Sequence, residues 1–208
     1  MQGCCSHAPD IPCYLKDHTV LLRRYGHFGK MPTSAALVAE ESWGGGLATL
    51  YQRVLESFVD EHDRAIELER QLSRVWRVSN KVSAMFVSAV AAPDMGLAAP
   101  PWRAGLDWRW FLPIDVNIDK FLVAAKWDWT PSYDARRQAV LYLSEGISLG
   151  GLRSGLEDWN PRLVLQAINR FISRDNRRGV TRDCASLAPA ECSKCPAPLR
   201  SLCPVPKS

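Results

Sequence analysis

Residues 101–130 read PWRAGLDWRWFLPIDVNIDKFLVAAKWDWT, and five of the chain's eight tryptophans fall within them. Aromatic side chains bury more area than any others, so the hydrophobic core is expected to centre on this segment. Asp107-Trp108-Arg109-Trp110 alternates polar with apolar residues, as does Ile114-Asp115-Val116-Asn117-Ile118-Asp119. Period two places one face on a core and the other in water, so both runs are predicted as short strands, separated by Pro113. Phe121 to Ala125 is continuously apolar, and alternation resumes at Trp127-Asp128-Trp129. The segment therefore predicts two or three short strands, with Trp110, Phe111, Val116, Phe121 and Leu122 buried beside Leu50, Val54 and Phe58.

On the N-terminal side, Gly44-Gly45-Gly46 precedes the clearest periodic run. Leu47, Leu50, Tyr51, Val54, Leu55, Phe58, Val59, His62, Ala65, Ile66, Leu72, Val75 and Trp76 recur at spacings of three and four. They predict one long amphipathic helix from Leu47 to about Arg77. Its other face is charged, with Asp60 and Arg64 four apart. His62 on the apolar stripe reads as a buried, hydrogen-bonded core histidine. Shorter helices are predicted over Ala35–Ser42 and Ser79–Ala92, the second stopped by Pro93 and Pro100-Pro101.

On the C-terminal side, Thr130-Pro131 and Asn160-Pro161 each set a capping residue before a first-turn proline. They predict helices from Pro131 to Glu145 and from Pro161 to Arg174. Gly146, Gly150, Gly151 and Gly155 lie between the two. A glycine loop can turn backbone amides toward an anion, but the Gly-x-Gly-x-x-Gly spacing is missing, and a plain helix-to-helix connection is the simpler reading.

Together these elements predict a mainly α fold with a small Trp-rich β element, an α+β class. One helical domain spans residues 33–179. An irregular N-terminal segment covers 1–32, and a Pro/Cys-rich tail covers 180–208.

With 208 residues, 47% hydrophobic and 23% charged, the chain is long enough for a sizeable core. The net charge of +4 is mostly arginine spread along the chain. Nucleic-acid binding is compatible with that sign, but clustering would be needed to support it. The longest uncharged apolar run of the helical part, Ala84 to Ala92, falls far short of the roughly 20 residues of a membrane span. The N-terminus has neither an apolar core segment nor an early positive cluster, and seven cysteines is an odd number. An intracellular, cytoplasmic setting with reduced thiols is expected.

No motif identifies a reaction. Gly26-His27-Phe28-Gly29-Lys30 fails the phosphate-loop spacing. Asp115-Val116-Asn117-Ile118-Asp119 lacks the glycine and glutamate of a calcium loop. Asp60-Glu61-His62-Asp63 matches no helical dimetal or zinc-protease pattern. Cys4, Cys5, His7 and Cys13 have no paired-ligand spacing. Cys184, Cys192, Cys195 and Cys203, spaced C-x7-C-x2-C-x7-C, are the better metal candidates, because a Cys-x-x-Cys centre lets two thiolates share a tetrahedral ion. Zinc or an iron–sulfur cluster would suit that set.

In chain order, Asp115, Lys126, Gln138-Ala139-Val140-Leu141-Tyr142 and Cys192-Ser193-Lys194-Cys195 with Cys203 resemble RecB-type nucleases that carry a cluster. Those enzymes show an acidic strand, a strand ending in Asp/Glu-x-Lys, a helix with Gln-x-x-x-Tyr and a cysteine group. The resemblance implies a metal-dependent nuclease with Asp115, Lys126, Gln138 and Tyr142 in its site. The residue two before Lys126 is Ala124, so the carboxylate that orients the catalytic water is missing. A small-molecule enzyme with a pocket of Trp108, Trp110, Trp127 and Trp129, and Asp107, Asp115 or Asp128 as acid or base, is a further alternative. No nucleophile with its base can be assembled. The leading expectation is therefore a non-enzymatic binding or regulatory protein with a Trp-rich core and a protein partner.

Overall fold

The computed structural model describes residues 30–95, 99–127, 132–152, 156–172 and 197–201. All seven cysteines, His7, Gly26–Gly29, Asp128, Trp129, Thr130 and Pro131 lie outside the described residues. The helices are α1 (Lys30–Val38), α2 (Leu47–Ser57), α3 (Glu61–Leu72), α4 (Asn80–Ala91), α5 (Val116–Ala124), α6 (Tyr133–Glu145), α7 (Pro161–Ile172) and α8 (Ala197–Ser201). A π-helical turn, Ala39–Trp43, follows α1, and a 3-10 turn covers Trp108–Trp110. The chain folds as two compact units, Met1–Pro113 and Ile114–Ser208. No strand occurs among the described residues, so the expected β element is absent.

Both alternating runs became helical for identifiable reasons. A strand needs a neighbour to take its backbone groups. Inside Asp107–Phe111 the bonds close locally instead, with Trp110 N–H donating to the Asp107 carbonyl and Phe111 N–H to that of Trp108, while the Asp107 N–H donates to the Glu61 carbonyl of α3. Trp108, Trp110, Phe111 and Leu112 are all buried there. In the second run, Ile114, Ile118 and Leu122 are buried at a spacing of four, while Val116 is 61% exposed and Val123 66% exposed. Over five residues the pattern fits period two and period four alike, and the continuation through Leu122 selects the helix. The Asp115 carboxylate caps α5 by accepting the Asn117 N–H at 2.9 Å.

In the first unit the predicted long helix is two helices. Phe58 takes an extended conformation (φ −129°, ψ 142°) and ends α2. Asp60 then caps α3, its carboxylate accepting the N–H groups of His62 at 2.8 Å and Asp63 at 3.0 Å. Val59, read as part of the stripe, is 95% exposed at this break. Arg64 does not reach back to Asp60. Its guanidinium donates to the carbonyls of Phe58 (2.7 Å), Gly105 (2.9 Å) and Leu55 (3.2 Å). One side chain thus holds the end of α2, the start of α3 and the loop before the 3-10 turn together.

That loop is pinned at further points. Tyr51 Oη donates to the Ala104 carbonyl at 2.6 Å. Trp102 stacks on Tyr51 at 4.8 Å between ring centroids and meets Phe86 edge-on at 5.5 Å. Ser88 Oγ donates to the Phe111 carbonyl at 2.7 Å within the core. Leu50 and Val54 are buried as expected, and Phe58 is half-buried.

In the second unit α5 and α6 both pack on α7. Asn160 Oδ1 accepts the Leu163 N–H at 3.1 Å ahead of Pro161, the expected start of α7. That helix buries Val164, Leu165, Ile168 and Ile172. Helix α6 is capped by Ser132, whose hydroxyl accepts the Ala135 N–H at 3.0 Å, two residues beyond the expected Thr130. Asn169 joins α7 to α5, with Oδ1 accepting from Asn117 Nδ2 at 2.8 Å and Nδ2 donating to Asp115 at 3.1 Å.

Candidate functional site

The residues suggested by the nuclease resemblance occupy well-defined structural positions. Asp115 is the N-cap of α5 and also accepts the Asn169 amide. Lys126 lies past the opposite end of that helix with φ 55°. Its N–H donates to the Val123 carbonyl at 3.1 Å, and Trp127 N–H donates to that of Leu122 at 2.9 Å. This paired arrangement, with a left-handed residue after the helix, closes a C-terminus. At a rise of 1.5 Å per residue, roughly 15 Å of helix separates the carboxylate from the Lys126 backbone. Gln138 and Tyr142 share one face of α6, four residues apart, and both are exposed. Tyr142 is 65% exposed and its ring lies 5.6 Å from that of Trp127.

The Trp-lined pocket is distributed differently. Trp108 and Trp110 are buried in the first unit, whereas Trp127 and Asp115 belong to the second. Asp107 faces a histidine: Asp107 Oδ2 lies 3.2 Å from His62 Nδ1, with the side chains 26% and 47% exposed. His62 therefore is not the buried core histidine expected from the stripe, because the break at Phe58 turns α3 away from that register. Its ring meets Trp110 edge-on at 4.6 Å, and Trp110 Nε1 donates to Glu69 at 3.3 Å. The pairing joins residues 45 apart, and no local signal in the sequence announces it.

The glycine-rich loop does turn a backbone amide toward an anion, and the anion is the protein's own. Asp158 Oδ1 accepts the Gly150 N–H at 3.1 Å and the Ser148 hydroxyl at 2.9 Å. A Cβ at Gly150 would overlap Asp158. Among the described residues of the loop, the Gly150 amide is thus already taken by Asp158; Gly155 lies outside the described residues.

Among the described residues four groups titrate away from their ordinary values: Asp60, Glu67, Tyr51 and Arg70, the last raised by its hydrogen bonds to Glu67. The Asp60 carboxyl is held low by the two backbone N–H donors it caps. Glu67 is held low by the Arg70 guanidinium, which donates to it at 2.7 and 2.6 Å. Burial pushes the Tyr51 phenol up. Each of these groups also holds a helix or loop in place. Among the described residues no three His, Cys, Asp or Glu side chains gather as a metal site. The candidate ligands Cys184, Cys192, Cys195 and Cys203 lie outside them. No helix among the described residues is long and apolar enough to cross a membrane. Comparison with protein-family models, curated proteins and solved structures returns no match to this chain.

What the second unit does present is exposed apolar surface. Val116 and Val123 lie two turns apart on the same side of α5 with Lys120 between them, and the helix leads from Val123 toward the Trp127–Tyr142 pair.

Proposed function

We propose that the protein is a non-enzymatic binding or regulatory module whose second unit engages a protein partner through Val116, Val123 and Tyr142. The observation that carries this reading is the exposure of these three large side chains on short helices whose polar neighbours, Asp115, Asn117 and Asn169, are occupied in holding α5 to α7. Apolar side chains in water gain by being covered, at about 25 cal/mol per Å², and a protein surface is the ordinary cover.

A photoreactive amino acid placed at Val123, in cells of the natural host, tests the reading. A single discrete cross-linked species is expected, absent when the probe sits at the still more exposed Val59 of the first unit and lost in Val116→Glu/Tyr142→Glu. Cross-linking that is equal at both positions, or indifferent to the paired substitution, would sink it.

A further inference from the structure

The chain from Arg70 to Pro93 carries Arg70, Arg74, Arg77 and Lys81 and not one Asp or Glu. These four cations fall within twelve consecutive residues, on the end of α3, the turn over residues 73–79 and the first turn of α4. Arg70 is neutralised by Glu67. Among the described residues no carboxylate pairs with Arg74, Arg77 or Lys81. Arg74 reaches Gln71 at 3.5 Å and acts on Glu67 at longer range. Lys81 sits in the first turn of α4, where the helix dipole adds to its own positive field. Ser79, which precedes that helix, supplies no side-chain cap.

The turn is held in shape rather than loosely displayed. Val75 is buried, and Trp76 N–H donates to Ser34 Oγ of α1 at 2.9 Å. Arg77 adopts φ 64°, and its exposed guanidinium lies over the Trp76 ring, 5.2 Å from the centroid. A fixed guanidinium plane offers both a charge and a flat surface on which an unstacked base can lie.

We propose that the basic turn from Arg74 to Lys81 binds single-stranded nucleic acid. Arg74 and Lys81 contact phosphates, and Arg77 takes a phosphate or stacks on a base. A duplex shares the phosphates but keeps its bases stacked on each other, so it cannot use the Arg77 plane.

Fluorescence anisotropy of the full chain with a labelled oligothymidylate of about twelve nucleotides tests this. Binding in the micromolar range is expected at low salt, with log K falling against log[salt] at a slope of about −1.4 to −2, the values for two phosphates with Arg77 stacked and for three phosphates on a single strand. Arg74→Ala/Arg77→Ala/Lys81→Ala should lose at least tenfold and flatten the slope. Arg77→Lys keeps the charge and loses the plane, so it should weaken binding several-fold at an unchanged slope. All three side chains reach solvent, and circular dichroism checks that each variant is folded. Should the triple variant melt early, Lys81→Glu alone carries the same test. Undiminished binding by the charge variants overturns the proposal, as does a duplex or a polyglutamate held as tightly as the single strand.

Discussion

Asp115 and Lys126 close the two ends of one helix, α5: the carboxylate accepts the Asn117 amide at the start, and the lysine backbone turns left-handed at the finish. Both residues are therefore needed by the fold whatever chemistry surrounds them. Asparagine caps nearly as well as aspartate, so Asp115→Asn should change stability by no more than about 0.5–1 kcal/mol, while Asp115→Ala should cost about 1–2 kcal/mol. Denaturant melts separate the two. Neither the wild type nor either variant is expected to cleave DNA with magnesium, and cleavage that vanishes in Asp115→Asn would restore the nuclease reading.

Lys126 gives a test of opposite sign. A side chain in the left-handed region costs about 1 kcal/mol that glycine does not. Lys126→Gly should therefore raise stability by about that amount, read as a higher midpoint in urea. A loss of stability would mean that the lysine side chain holds something that its backbone position does not reveal.

Arg64 of α3 spans three carbonyls on two other segments, the end of α2 and the loop at Gly105, a geometry set by the fork of the guanidinium. Arg64→Ala should destabilise the first unit by about 2–3 kcal/mol, and Arg64→Lys should recover less than half of that, since an ammonium cannot reach all three acceptors. Hydrogen exchange at the loop over residues 103–107 should accelerate in both variants. Unchanged protection there would show that Tyr51 and Trp102 suffice to hold the loop.

Acid should weaken the first unit in a defined window. The folded values of Asp60 and Glu67 lie below the ordinary carboxylate range. The stability they contribute is present above about pH 4 and is lost as pH falls through their depressed folded values. Thermal melts from pH 6 to pH 2 should slope accordingly, with Asp60→Asn removing part of the slope and retaining the cap. Tyr51 acts at the other extreme: its raised value contributes stability below about pH 10 that is lost as pH rises through the folded value. An Asp60→Asn profile superimposable on the wild type would refute the assignment.

Truncation after Gly179 tests the tail. Five prolines among its residues limit helix and burial, so the thermal transition of the shortened chain should stay within a few degrees of the full-length value. A large fall, reproduced in the full-length protein by a chelator, would show that Cys184, Cys192, Cys195 and Cys203 hold a metal that docks the tail.

Much of the helical order was legible in the residues themselves. Asn160-Pro161 marks the start of α7, Pro93 follows the end of α4, and the stripe at Leu50 and Val54 marks the buried face of α2. These are local signals, because caps, proline and a face of period 3.6 act within one or two turns of chain. The tertiary structure decided the rest. Ile114-Asp115-Val116-Asn117-Ile118 fits two periods equally, and only burial of Ile114, Ile118 and Leu122 together chose the helix. Asp60 could lie inside one long helix or cap a second, and Arg64, which bonds carbonyls up to 41 residues away, holds the broken arrangement. His62 with Asp107, and Asp158 with the amide of Gly150, pair residues whose proximity no spacing encodes. Such contacts depend on how loops close after the helices have packed, whereas the helices depend on neighbours already adjacent along the chain.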